Sequence, residues 1–211
     1  MKSNFFLHFI TGCLLLMAAH GAQAEGLTRD EALSFAEVKG KELLTTFQEP
    51  DLNLRYQKLD KLFLVHVDAD YIGKFVAGRY WRSMTEPQKE RYLALFKRYG
   101  LAFYKTLPLE YAKNVEYKIK SAEFDGDFVN VAANIKVGKQ KDAQEITVVF
   151  RLHKVGGVIK AVDVKIAESS LLLSYRGKFG EMIAQNDGEI EWFLEDFEDL
   201  VRSLEYNLEH P

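Results

Sequence analysis

Cysteine is almost absent from this chain of 211 residues: its one thiol, Cys13, lies in the first apolar stretch. Without a second cysteine there is no disulfide framework to read. Positive charge is not in excess either. The 28 lysines and arginines face 31 aspartates and glutamates, giving a formal charge of −3. That balance argues against nucleic acid or anionic lipid headgroups as a surface partner. Beyond residue 24 no apolar run approaches the roughly 20 residues that a spanning helix needs, so any dealings with lipid would go through a pocket or a transient docking face.

The familiar signatures of catalysis are missing too. There is no G-x-S-x-G elbow, no P-loop and no G-x-G-x-x-G, and Gly156-Gly157 reads as a turn. His66-x-Asp68-x-Asp70 has metal-ligand residue types, yet alternate positions on a helix scatter their side chains, and Asp68 and Asp70 suit helix caps. His153 falls on the polar face of a strand and reads as a surface residue. Asp125 and Asp127 are the nearest paired carboxylates, and a turn accounts for both. We therefore expect a protein that is not an enzyme, with no catalytic residue, no metal and no cofactor.

What is present begins with an export signal. Lys2 supplies a positive start, Phe5 to Ala19 is nearly unbroken in apolar character, and Ala22-Gln23-Ala24 offers small residues where signal peptidase reads. Residues 1–24 are expected to be a signal peptide cleaved after Ala24, leaving 25–211 as a single periplasmic domain. Two competitors remain: a membrane anchor, for which the run is short, and lipidation at Cys13 in Ile10-Thr11-Gly12-Cys13. Loss of Lys2, the only charged residue of the segment, would leave the mature chain one unit more acidic.

Helical signals come first. Thr28 with Glu31 fits a capping box, and Pro50 closes the helix that follows. Leu52 to Val67 reads as a second helix, a third is capped by Asp68 or Asp70, and Thr85-Glu86-Pro87 starts a fourth that carries Tyr92, Phe96, Tyr99 and Phe103 and ends at Pro108. The period then changes from helical to alternating. Four apolar-polar stretches follow, beginning at Val115, Val129, Ile146 and Val158, with Asp125-Gly126, the polar loop 138–142 and Gly156-Gly157 between them. Two helices, Ser170 to Gln185 and Glu189 to Tyr206, finish the chain. The predicted fold is α+β: N-terminal helices, a curved four-stranded antiparallel meander and two C-terminal helices.

Fifteen phenylalanines, ten tyrosines and two tryptophans are a large supply for this length. They fit an ordinary aromatic core, or an apolar cavity left where sheet and helices do not close fully; Ala132 and Ala133 in mid-strand leave room for the second reading. The acidic run Glu189, Glu191, Glu195, Asp196, Glu198 and Asp199 is a solvated face or a docking surface for a basic partner.

One segment is more specific. Tyr71-Ile72-Gly73-Lys74-Phe75-Val76-Ala77-Gly78-Arg79-Tyr80-Trp81-Arg82, followed by Thr85-Glu86-Pro87-Gln88, resembles the MlaC family, also called toluene-tolerance or auxiliary ABC-transport proteins. The resemblance continues through Phe96, Tyr99 and Tyr104, then Asp163-Val164-Lys165-Ile166, Ser170-Leu171 and Ser174-Tyr175-Arg176-x-x-Phe179. The chain departs from the family pattern at Ile159-Lys160-Ala161-Val162, where a tryptophan is usual, and at Glu168-Ser169-Ser170-Leu171, which lacks the usual glycine.

The resemblance implies a periplasmic phospholipid carrier. It would hold the lipid by its acyl chains in an apolar cavity between sheet and helices, with the headgroup near solvent. Its partners would be an outer-membrane lipoprotein complex and an inner-membrane ABC transporter complex with its periplasmic substrate-binding ring. On that reading the cavity is lined by Phe75, Trp81, Phe96, Tyr99 and Phe103 from the helices, and by Val131, Ala133, Ile135, Val148, Phe150, Val162 and Val164 from the sheet. Leu173 and Tyr175 join them from the following helix. Arg79 and Arg176 either approach a phosphate at the mouth or pair with carboxylates. The competing functions are a carrier for another apolar ligand, such as a hopanoid or a solvent, and an adaptor with a filled core.

Overall fold

The computed structural model describes residues 26–106, 115–137 and 144–210. The expected signal peptide with Cys13, the helix stop at Pro108 and the loop 138–142 lie outside the described residues.

Local capping chemistry starts most of the helices near where the sequence predicts. In α1 (Arg29–Phe47) the Thr28 hydroxyl accepts from the Glu31 amide at 3.2 Å, and the Glu31 carboxylate accepts from the Thr28 amide at 3.0 Å. This reciprocal box satisfies two of the donors that a helix start leaves unpaired. Asp51 caps α2 (Leu52–His66). Of the two aspartates that could cap α3 (Ala69–Ala77), Asp68 does so, accepting from the Tyr71 amide at 3.0 Å. A 3-10 turn (Gly78–Arg82) leads to α4 (Glu86–Lys105), which opens on a Thr85–Gln88 box with Pro87 in its first turn.

The sheet is an antiparallel meander of β1 (Val115–Asp125), β2 (Phe128–Val137), β3 (Gln144–Val155) and β4 (Val158–Ile166), in that spatial order. A fifth strand, β5 (Ser169–Ser170), corrects the expectation of four. Ala167 takes a left-handed φ of 53°, which turns the chain back so that Ser169 and Ser170 pair with Ile166 and Lys165. The family pattern carries a glycine in this neighbourhood, and here an alanine bears the strained backbone. Two residues have no period to read, which is why the strand escaped notice. Register slips by one residue at Lys120 in β1 and at Val162 in β4, and such slips bend and twist a strand. Ser170 then caps α5 (Leu171–Gln185), accepting from the Leu173 amide, and α6 (Ile190–Glu209) completes the chain.

The apolar interior is divided in two. One core is helical: Tyr92, Phe96 and Tyr99 of α4 pack with Phe179 and Ile183 of α5 and with Phe193, Phe197 and Val201 of α6. Its rings meet mostly edge to face or tilted, with Phe179 to Phe197 at 5.0 Å, as aromatic quadrupoles prefer. The other core lies where α1 crosses the sheet, with Leu27, Ala32 and Ala36 against Val129, Val131 and Leu152. Two anchors hold α1 there: Lys154 meets Glu31 at 2.7 Å, and the Tyr117 hydroxyl donates to the Ala36 carbonyl at 3.0 Å. Gly40 makes the second possible, because a Cβ there would stand 2.6 Å from the Tyr117 ring. Helix α2 touches α1, α4 and β4, and so joins the two cores.

Candidate functional site

Several buried side chains belong to neither core. On α2 these are Leu59, Leu62 and Phe63, on α4 Ala102, and on the sheet Ala133, Val148 and Val162. Ala133 and Val148 are direct cross-strand partners, and their row runs Ile119, Ala133, Val148, Ile166 across the apolar face. Its middle is fully buried and its edge residue, Ile166, is 44 % exposed. Leu171 and Leu173, just beyond β5, are exposed as well. An apolar path thus leads from the interior to the surface at the corner formed by β4, β5 and the start of α5. We call this path the seam. A crevice near Phe63, Asp68, Lys97 and Lys160 has charged walls and is too small for an acyl chain.

The expected lining residues distribute over three environments. Phe96 and Tyr99 are buried in the helical core, with Phe75, Trp81, Phe103 and Tyr175 packed partly buried against it. Val131 belongs to the sheet core and Phe150 packs against that core. Ala133, Val148 and Val162 lie in the seam, while Ile135 and Val164 are half-buried and Leu173 is mostly in solvent. The aromatic stripe of α4 turns chiefly toward α5 and α6 rather than toward the sheet. Phe103 of α4 and Tyr175 of α5 meet further along the helices, with centroids 5.8 Å apart. Burial pushes the Tyr175 phenol up, and the neighbouring Tyr99 adds to the shift.

The start of α5 is fixed by a buried carboxylate that the sequence reading passed over. Asp163 of β4 accepts from the Ser170 hydroxyl at 2.7 Å and from the Leu172 amide at 2.9 Å. A strand residue thereby holds a helix N-terminus, where negative charge is favoured. Its signal was the motif Asp163-Val164-Lys165-Ile166, which marks the residue without saying what it grips. The α2 residues of the seam were visible as a helical stripe, but a stripe does not name the surface it packs on.

One sequence reading is corrected and one open alternative is narrowed. His153 is not a surface residue: its side chain is 14 % exposed, lies 2.9 Å from the Asp68 carboxylate and stacks on Phe128. The polar face of β3 is covered there, because Tyr71 of α3 packs on both rings. Among the described residues Arg79 and Arg176 pair with no carboxylate. Arg79 donates to the Tyr80 hydroxyl at 2.8 Å, and the Arg176 guanidinium lies over the Phe75 ring.

His66, Asp68 and Asp70 point to separate tasks. His66 Nδ1 is 3.1 Å from the Ile159 carbonyl, Asp68 caps α3, and Asp70 is exposed in the first turn. Among the described residues no three histidine, cysteine, aspartate or glutamate side chains could hold a metal, and no helix is long and apolar enough to cross a membrane. Asp125 pairs with Arg151 at 2.9 Å beside the Gly126 turn. The acidic run on α6 is partly spent within the molecule. Glu191 and Glu198 bind Arg91, and Glu205 binds Arg98, so that the arginines of α4 clamp α6. The Arg91 hydrogen bond holds the Glu198 carboxyl below its ordinary range.

The model of a family described as the MlaC protein matches residues 40–205. Among solved structures the chain is similar to a phospholipid-binding protein from Ralstonia solanacearum, determined in complex with a phospholipid. The TM-score is 0.65 at 20 % identity, over 82 % of this chain and 98 % of that one. No curated protein matches the sequence. The structural likeness extends over nearly the whole neighbour and concerns the fold, including the order of helices and sheet on which the seam depends.

Proposed function

Because the chain belongs to the MlaC family, we propose that it is a periplasmic phospholipid carrier that takes the acyl chains of its cargo into the seam. The observation that carries this reading is the divided interior, with a row of buried small and medium apolar side chains, Ala133 and Val148, outside both cores and running out to exposed Ile166. The phospholipid complex of the Ralstonia protein, which has a similar fold, supports it.

Binding of this kind needs no catalytic group. Each buried methylene contributes about 0.8 kcal/mol, so two chains of roughly 30 methylenes gain ~24 kcal/mol gross on leaving water. A bilayer offers nearly the same. Loading and unloading therefore stay close to balance only if the protein matches the membrane's apolar environment, which side chains such as Ala133, Val148, Val162 and Phe103 would provide.

Residues 25–211 act as the carrier domain once 1–24 have been removed after Ala24, and cleavage there frees the domain to cross the aqueous gap. The lining comprises Ala133, Ile135, Val148, Val162 and Val164, with Phe103, Leu173 and Tyr175 at the helical side. Phe75, Trp81, Phe96, Tyr99, Val131 and Phe150 form the walls behind them. The carrier exchanges lipid between an outer-membrane lipoprotein complex and an inner-membrane ABC transporter complex. Organic extraction of the purified protein followed by mass spectrometry tests the reading. Stoichiometric phospholipid is expected, a hopanoid or other apolar compound would redirect it to a different cargo, and an empty extract would leave the adaptor reading.

A further inference from the structure

Arg176 is held in an unusual way. Its guanidinium lies 4.8 Å from the centre of the Phe75 ring. It also lies beside Gly78, where a Cβ would stand 3.3 Å from its Nε. Gly78 has φ 59° and ψ −126°, a conformation that L side chains rarely adopt. The backbone conformation therefore favours glycine there. Arg176 is exposed and packs on the Phe75 ring, while among the described residues no carboxylate or carbonyl takes up its N–H donors. A planar set of donors without an internal acceptor suits an external oxyanion.

The surroundings favour the same ligand. Arg79 follows Gly78 and stacks on Tyr80, also without a carboxylate partner among the described residues. Lys74 and Lys89 flank the Trp81 ring at 5.8 and 5.5 Å. Glu86, which is mostly exposed, pairs with Lys89 at 2.8 Å. This concentration of cations stands out on a chain whose formal charge is −3. It also lies near the open end of the seam, because Arg176 stands one turn along α5 from the exposed Leu173.

We propose that Arg176, with Arg79 as the second cation, forms a phosphate-binding subsite at the α5 end of the seam. The inference deepens the carrier reading and rests on it: a phosphate held here places the headgroup in solvent while the chains enter beside Tyr175. Inorganic phosphate offers the same oxyanion, and the test separates the two sources. Lipid-free protein is incubated with vesicles containing equal amounts of phosphatidylglycerol and a diacylglycerol with the same chains, and the bound lipids are quantified. The diacylglycerol has the tails without the phosphate.

Arg176→Ala is expected to lower the ratio of bound phospholipid to bound diacylglycerol about tenfold, the effect of losing charge-assisted hydrogen bonds. It should also shift the phosphorus resonance of the bound phospholipid, with Arg176→Lys intermediate. If the ratio holds but Arg176→Ala abolishes the line broadening of inorganic phosphate titrated into lipid-free protein, the subsite stands and its source is free phosphate. An unchanged ratio together with unchanged phosphate broadening overturns the subsite, as does an equal loss of both lipids at an unchanged melting temperature. Should Arg176→Ala fail to fold, Arg176→Lys carries the same comparison. Unaltered protein that loads neither lipid refutes the carrier reading instead, and the phosphate titration then decides the subsite alone.

Discussion

Replacing Ala133 by tryptophan puts an indole at the middle of the row that joins the interior to Ile166. Ala133 is fully buried, and its cross-strand partners are Ile119 and Val148. If this part of the sheet face is the floor of a lipid site, the indole occupies volume that acyl chains would otherwise fill. Displacing about four methylenes at ~0.8 kcal/mol each costs ~3 kcal/mol. Since the vesicle still offers the full gain, partition into the carrier should fall about a hundredfold. A space able to admit acyl chains can admit the indole, so stability should change little. If the face is solid core, the same substitution overpacks it and costs about 1–3 kcal/mol, which lowers the melting temperature by several degrees, at about 2–4 °C per kcal/mol for a protein of this size. Two measurements therefore separate the cases: lipid retained after incubation with excess vesicles, and the thermal melt. Unchanged retention in folded protein would remove the sheet face from the site. A large drop in melting temperature would identify Ala133 as ordinary core.

Asp163→Ala removes the acceptor of two hydrogen bonds and should destabilise the protein by about 2–4 kcal/mol, read by urea denaturation; bonds to a charged acceptor contribute about 1.5–3 kcal/mol each but share one side chain. Increased amide exchange confined to the start of α5 is its expected local signature. Gly100→Ala would place a Cβ 2.5 Å from the Phe63 ring, and the forced separation of α2 from α4 should cost about 1–3 kcal/mol, where an open helix surface would gain stability from alanine. For pH, the Lys154 hydrogen bond, helped by Thr28, holds the Glu31 carboxyl down to about 2 from its ordinary 4.5. A depressed folded value means that stability is present above 4.5 and is lost as pH falls toward 2. Glu31→Gln should flatten the melting temperature in that window, and an unchanged slope would show that the pair is screened by solvent. Tyr92→Phe deletes a buried hydroxyl that donates to the Gly73 carbonyl at 3.0 Å, and should cost about 1–2 kcal/mol in the same denaturation assay.

Local signals were the most legible part of the fold. The Thr28 and Thr85 boxes, the Asp125-Gly126 turn and the alternating strands all depend on contacts between near neighbours in sequence, and each forms as read. Partners across the fold were less legible. The stripe Tyr92, Phe96 and Tyr99 announces a buried face but carries no information on whether a sheet or two helices will cover it. His153 illustrates the same limit. Alternation put it on the polar face of β3, and only the path of α3 brings Asp68 and Tyr71 over that face. β5 is two residues long and was invisible for want of a period.

The seam was hard to read for a reason that bears on its function. A site that must resemble a bilayer is made of the same residue types as a hydrophobic core, so composition cannot separate them. The difference lies in packing: Ala133 and Val148 are buried as deeply as Val131, yet only Val131 belongs to the core beneath α1. A core gains by locking its side chains together, whereas a carrier has to leave contacts for its cargo to make. On the proposed carrier reading the small side chain of Ala133 would be a functional requirement, although no donor, acceptor or charge marks it. The polar residues then have the complementary task. Asp163 and Ser170 fix where α5 begins, and in the proposed subsite the arginine one turn further on would hold a headgroup outside while the apolar row receives the chains.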